Sequence, residues 1–133
     1  MKYQHTDFSV ELKEKIKNTE LALKEHIERL LEENKFIFAK KNLDLDAGFD
    51  QEGIDPFVPG YSSSISIGIA DKSGELIDLH MINIWECERS LLGMPILKNI
   101  PGSKIIGELL DESMEEIKEE LKEYIEEVLN DEI

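Results

Sequence analysis

The segment Ser64-Ile65-Ser66-Ile67-Gly68-Ile69 alternates strictly between a bulky β-branched residue and a small one. Only an extended strand, with side chains on opposite faces at period two, sorts three isoleucines to one side and Ser, Ser and Gly to the other. Asp71-Lys72-Ser73-Gly74 follows with turn chemistry, Gly74 being able to take a positive φ. Beyond it, Ile77, Leu79, Met81, Asn83, Trp85 and Cys87 alternate with Asp78, His80, Ile82, Ile84 and Glu86. The pair predicts an antiparallel hairpin whose buried face carries Ile77, Leu79, Met81, Trp85 and Cys87. Ile82 and Ile84 make the second strand apolar on both faces, so a helix or another subunit must cover the other side there.

Helical patterns flank this hairpin. Leu12, Ile16, Leu23, Ile27, Leu30 and Leu31 recur at three- and four-residue steps and share one face. Asn18-Thr19 interrupts the pattern and has the chemistry to cap a second helix, so one helix and two in succession both fit. Phe36-Ile37-Phe38 has strand composition yet continues the spacing from Ile27 and Leu31, which leaves residues 34–41 open between helix and strand. Ser113-Met114-Glu115-Glu116 matches a capping box, and Met114, Ile117, Leu121, Tyr124 and Val128 then follow helical spacing, with Ile125 and Leu129 widening the stripe. Residues 91–104 are punctuated by Gly93, Pro95, Pro101 and Gly102, which predicts a loop with one short strand around Ile96-Leu97. Lys104-Ile105-Ile106-Gly107 adds a candidate edge strand.

A chain of 133 residues is long enough for one hydrophobic core. The expected architecture is a single α+β domain over residues 1–133. It has an N-terminal helix or helix pair, a central antiparallel sheet of about three to four strands, and a long C-terminal amphipathic helix packed on the sheet.

The formal charge is −15, and it is unevenly placed. Residues 1–41 hold 9 basic and 8 acidic side chains, whereas residues 106–133 hold 2 and 12. This sign repels phosphate and argues against nucleic acid or an anionic membrane as a direct partner. The single cysteine, Cys87, excludes an intramolecular disulfide framework and a CxxC motif. The first residues lack a signal-peptide core, and no stretch approaches roughly 18 consecutive apolar residues. Together these features place the expected setting in the cytoplasm.

Motifs for chemistry fail one by one. Asn42-Leu43-Asp44-Leu45-Asp46-Ala47-Gly48 begins like a calcium loop, but Ala47 stands where the sharp turn needs glycine and Gly53 where a bidentate glutamate belongs. An acidic turn is the reading that remains. His5, His26 and His80 are dispersed, without metal-ligand spacing. Cys87 falls on the buried face, and Ser62-Ser63-Ser64 lacks the glycine-flanked elbow of a nucleophile. Gly48, Gly53 and Gly60 are too widely spaced for a phosphate loop. Glu86 and Glu88, near Trp85 and Arg89, are the best acid–base pair, yet they read as solvated charges at a strand end. No catalytic residue, metal or cofactor is assigned.

Two features suit recognition. The outer face of the last helix carries Glu115, Glu116, Glu119, Glu120, Glu123, Glu126 and Glu127 around only Lys118 and Lys122. Glu126, Glu127 and Asp131 also oppose the helix dipole at its C-terminus, where a solvated helix more comfortably ends in lysine. The second feature is the pair of proline-stiffened loops Pro56-Phe57-Val58-Pro59-Gly60-Tyr61 and Leu91-Leu92-Gly93-Met94-Pro95. They offer Phe57, Tyr61 and Met94 either as partner contacts or as caps on the sheet.

With Trp85 in the central strand and the acidic helix 114–129, the chain resembles the immunity proteins paired with bacterial toxins, in size, charge and layout. That resemblance implies a binding protein that neutralises a cognate, basic toxin. Two alternatives belong to other classes. One is a phage or plasmid DNA mimic that inhibits a DNA-binding enzyme. The other is a small ligand-binding domain or enzyme with a pocket between sheet and helices, which a cleft lined by Asp78, His80 and Glu86 would favour. The apolar helix stripe or the two-faced strand also offers a way for two copies to form a homodimer.

Overall fold

The structure is a computed structural model and describes residues 1–131. Six strands and two helices make up the described chain, with a 3-10 turn at His5–Asp7 after the first strand. In chain order they are β1 (Lys2–Gln4), α1 (Val10–Lys40), β2 (Leu43–Glu52), β3 (Ser62–Asp71), β4 (Leu76–Leu91), β5 (Met94–Ile96), β6 (Lys104–Leu109) and α2 (Met114–Asp131). The strands form one six-stranded antiparallel sheet in the order β1-β6-β4-β3-β2, with β5 on the far end of β4. The α+β class and the helix packed near the C-terminus follow the sequence expectation. The sheet has more strands than expected.

The N-terminal helix is one continuous element of 31 residues rather than a pair. Asn18-Thr19 does not break it, because the Thr19 hydroxyl donates back to the Lys15 carbonyl at 2.7 Å and leaves the helical path intact. Ser9 caps the start by accepting from the Leu12 N–H at 3.1 Å. Residues 34–40 are helical, with Phe38 buried and Phe36 exposed beneath the Lys40 ammonium. Asn42, at φ +63°, takes the left-handed turn that ends the helix and opens β2.

Residues 43–52 correct the expected acidic turn: they form a full strand paired along its length with β3. Leu43 and Leu45 face the core while Asp44 and Asp46 face solvent, so the aspartates mark the outward side of a strand. Lys104–Leu109 is likewise not an edge, since β6 lies between β1 and β4.

The hairpin forms where expected. Asp71 organises its turn by accepting from the Ser73 N–H, the Ser73 hydroxyl and the Glu75 N–H, and these bonds hold its carboxyl below the ordinary range. The face assignment of β4, however, is reversed over its first half. Ladder irregularities leave Ile77 and Ile84 without a partner residue on β3. Such bulges shift the two-residue alternation by one position. Ile84 and Trp85, adjacent in sequence, are therefore both buried, while Leu79 and Met81 stand on the opposite, exposed face.

Both helices cover a single face of the sheet. Ile16, Leu23 and Ile27 of α1, Ile65, Ile67 and Ile69 of β3, and Ile117, Leu121 and Ile125 of α2 join one buried cluster. At one end the Trp85 indole lies over Gly107 and donates to the Pro56 carbonyl at 2.7 Å. Tyr3, Phe8 and Phe57 surround it. The other face of the sheet is covered by nothing in the described chain.

Candidate protein-interaction surface

The uncovered face has a pattern set by the register. Across the three adjacent strands, Asp46 aligns with Gly68 and Leu79, Gly48 with Ser66 and Met81, and Asp50 with Ser64 and Asn83. The small residues of β3 therefore form a floor, with apolar side chains of β4 on one side and carboxylates of β2 on the other. Two inter-strand spacings separate these rows by about 10 Å. Leu76, Leu79 and Met81 are 57%, 50% and 54% exposed. Covering Leu79 and Met81 would stabilise a complex by roughly 1 kcal/mol each, half of a full side-chain burial. Past the bulge the β4 side of this face turns acidic as well, since Glu86 and Glu108 align directly across β4 and β6.

The helix α2 distributes its carboxylates between two sides. Glu115, Glu119 and Glu126 line a groove of about 520 Å³ against α1, together with Lys118, Lys122 and His26. Glu120 turns the other way, to the β4 side: its carboxylate lies 3.5 Å from His80 Nε2, and His80 stacks on Tyr124 at 4.7 Å. Helical spacing places Glu116, Glu123 and Glu127 on that same side. Burial, with Asp78 beside it, pushes the Tyr124 hydroxyl up to about 12. Burial at the head of α2 and the neighbouring Glu120 and Glu116 carboxylates raise Glu112, and His80 opposes them. Ser113 caps the helix as expected, accepting from the Glu116 N–H at 3.2 Å. The unfavourable acidic C-terminus is relieved from outside the helix: Lys41 Nζ, at the end of α1, donates to the Leu129 carbonyl at 2.9 Å.

The loop residues Tyr61, Phe57 and Met94 differ in how far they are buried. Tyr61 is 1% exposed, and its hydroxyl donates to the Glu20 carboxylate at 2.6 Å, deep under α1. Burial, followed by the Glu20 hydrogen bond and charge, raises its ionisation out of the usual range. Phe57 stacks on Phe8 at 4.5 Å with Lys13 above it, and so closes the end of the core. Tyr61 is thereby taken out of reach of a partner, whereas Phe57 is only partly buried. Met94 alone of the three is exposed, at the hairpin joining β4 and β5. It lies beyond the hydrogen-bonded corner where Cys87 pairs with Gly60 and Tyr61.

The catalytic alternatives lose their geometry. Asp78 and His80 face α2, whereas Glu86 stands on the open face, so the three line no common cleft. Trp85 and Glu86 lie on opposite faces, which prevents the indole from desolvating that carboxylate. Burial pushes the Cys87 thiol up to about 11, where it is a poor nucleophile at neutral pH. Among the described residues no group of three or more His, Cys, Asp or Glu side chains is placed to hold a metal ion. No helix among them is long and apolar enough to cross a membrane.

Sequence reasoning missed Leu79 and Met81 as surface residues and the β2 aspartates as their counterparts. The signal for the second was present: Asp44-Leu45-Asp46 alternates with strand period. Comparison of the chain with protein-family models, curated proteins and solved structures found no match.

Proposed function

We propose that the protein is an acidic binding module that captures a basic protein, acting like an immunity protein that neutralises a cognate toxin. The observation that carries this reading is the uncovered sheet face, where exposed Leu76, Leu79 and Met81 lie alongside a row of carboxylates on β2. Apolar side chains supply contact area, and the surrounding negative potential selects and steers a positive partner. A formal charge of −15 extends that field beyond contact distance.

Co-expression with the product of the adjacent gene tests the reading. A stoichiometric complex, and survival of cells that the adjacent product alone kills, is the expected result. Absence of a complex, together with turnover of a small substrate by the isolated protein, contradicts it.

A further inference from the structure

The strand β4 has a free edge. From Leu76 to Ile82 it pairs with β3 alone, because pairing with β6 begins only at Trp85. Among the described residues no strand occupies the outer side of that stretch. The Leu79 N–H bonds to the Asp78 carboxylate at 2.9 Å, which marks it as directed to the outer side. The two-residue alternation of an antiparallel ladder directs the N–H and C=O of Met81 outward as well. Such an edge is a template for an added strand.

The two sides of this edge differ chemically. On the open face stand Leu79 and Met81, both half exposed. On the other face stands α2. Tyr124 lies beside Asp78 and His80, Glu120 meets His80, and Leu110 bonds to the Ile84 carbonyl, so α2 runs antiparallel to β4. Two strand residues and one helical turn advance by nearly the same distance, about 6 Å. The acidic stripe of α2 therefore keeps pace with the strand: Glu120 is level with His80 and Glu116 with Ile82, while Glu112, just ahead of the helix, lies near Glu116, Glu120 and His80.

We propose that the 76–82 edge of β4 accepts an extended segment of a basic partner by strand addition, and that this segment alternates apolar and basic residues. Its apolar side chains lie beside Leu79 and Met81, and its lysines or arginines lie under Glu112, Glu116 and Glu120. The proposal rests on the reading of the protein as a module for a basic partner, and it specifies the mode of capture. A second copy of this chain is the poorer occupant. Joining two β4 edges would bring the same rows of carboxylates together on chains that each carry −15.

The probe is a blocked peptide alternating lysine and valine, as long as the free edge, with a glutamate–valine peptide of the same pattern as control. Amide exchange followed by NMR is the readout. The lysine–valine peptide should protect the Leu79 and Met81 amides, and the control should not. Met81→Pro, which removes an outward N–H but no bond to β3, should weaken binding about tenfold or more. Leu79→Lys keeps the backbone and repeats the test if the proline variant fails to fold. Absence of peptide binding, binding without protection of these amides, or equal binding by folded Met81→Pro and Leu79→Lys would overturn the proposal. So would a dimer of the isolated chain in sedimentation that either variant dissociates. A natural partner held equally by wild type and variants refutes strand addition alone, whereas the lack of any basic partner refutes the broader function.

Discussion

Gly107→Ala is the most informative single perturbation of the fold. A Cβ at position 107 would overlap the Cη2 and Cζ2 atoms of Trp85 and come within 3.0 Å of Cζ3. The indole cannot move aside freely, because its N–H is bonded to the Pro56 carbonyl and Tyr3, Phe8 and Phe57 occupy the space around it. Overpacking of this kind costs about 1–3 kcal/mol, and a rigid, enclosed ring belongs at the upper end. If the ring rotates enough to break the Pro56 bond, a buried unpaired carbonyl adds about 1 kcal/mol or more. Urea unfolding followed by circular dichroism should therefore show a loss of about 3–4 kcal/mol. Tryptophan emission should report the altered environment of the sole indole, Trp85. A loss below about 0.5 kcal/mol with unchanged emission would refute the tight seating of Trp85 over β6. That seating matters beyond stability, since Trp85 adjoins the bulge that turns Leu79 and Met81 to the open face.

Tyr61→Phe leaves the buried Glu20 carboxylate without its hydroxyl donor and should cost about 2 kcal/mol in urea unfolding. Cys87, with its thiol raised to about 11 by burial, should react with a disulfide reagent at least about 100-fold more slowly in the native than in the unfolded chain at pH 8. His26 is held below its usual range by burial first, then by Lys118 and Arg29, with Glu33 opposing. A folded state that resists protonation loses stability as pH falls through about 6.5. His26→Gln should remove this contribution, so the difference between variant and wild-type unfolding free energies should shift in favour of the variant between about pH 7.5 and about pH 5.5.

The parts of the fold legible in the sequence are those where local chemistry and tertiary environment agree. The Asp71 turn and the Ser113 cap have side chains that satisfy nearby backbone groups, so their positions follow from residue type. Ser64–Ile69 keeps an unbroken alternation and is read correctly down to its faces. The failure on β4 has one physical origin. An irregularity at Ile84 is a property of pairing with β3, invisible in the strand's own alternation, yet it inverts every side chain on one side of it. The three-residue β1 carries too little periodicity to be recognised. Position 20 was a missed clue: Glu20 falls on the Ile16–Leu23–Ile27 stripe, and a carboxylate there requires a buried donor, which Tyr61 supplies. That pairing also explains why Tyr61 is unavailable as a contact residue. Of the acidic helix, the sequence predicts the face but not its division between the α1 groove and the β4 edge, because that division depends on where α2 crosses the sheet.

If the protein captures a basic partner, the uncovered face and its carboxylates should set the speed of their encounter. The association rate constant with the co-purified partner, measured by stopped flow over a series of salt concentrations, tests it most directly. The rate should fall steeply with salt, and should be slower and less salt-sensitive for the combined Asp44→Asn, Asp46→Asn and Asp50→Asn variant. A rate independent of salt, or unchanged in that variant, would contradict it.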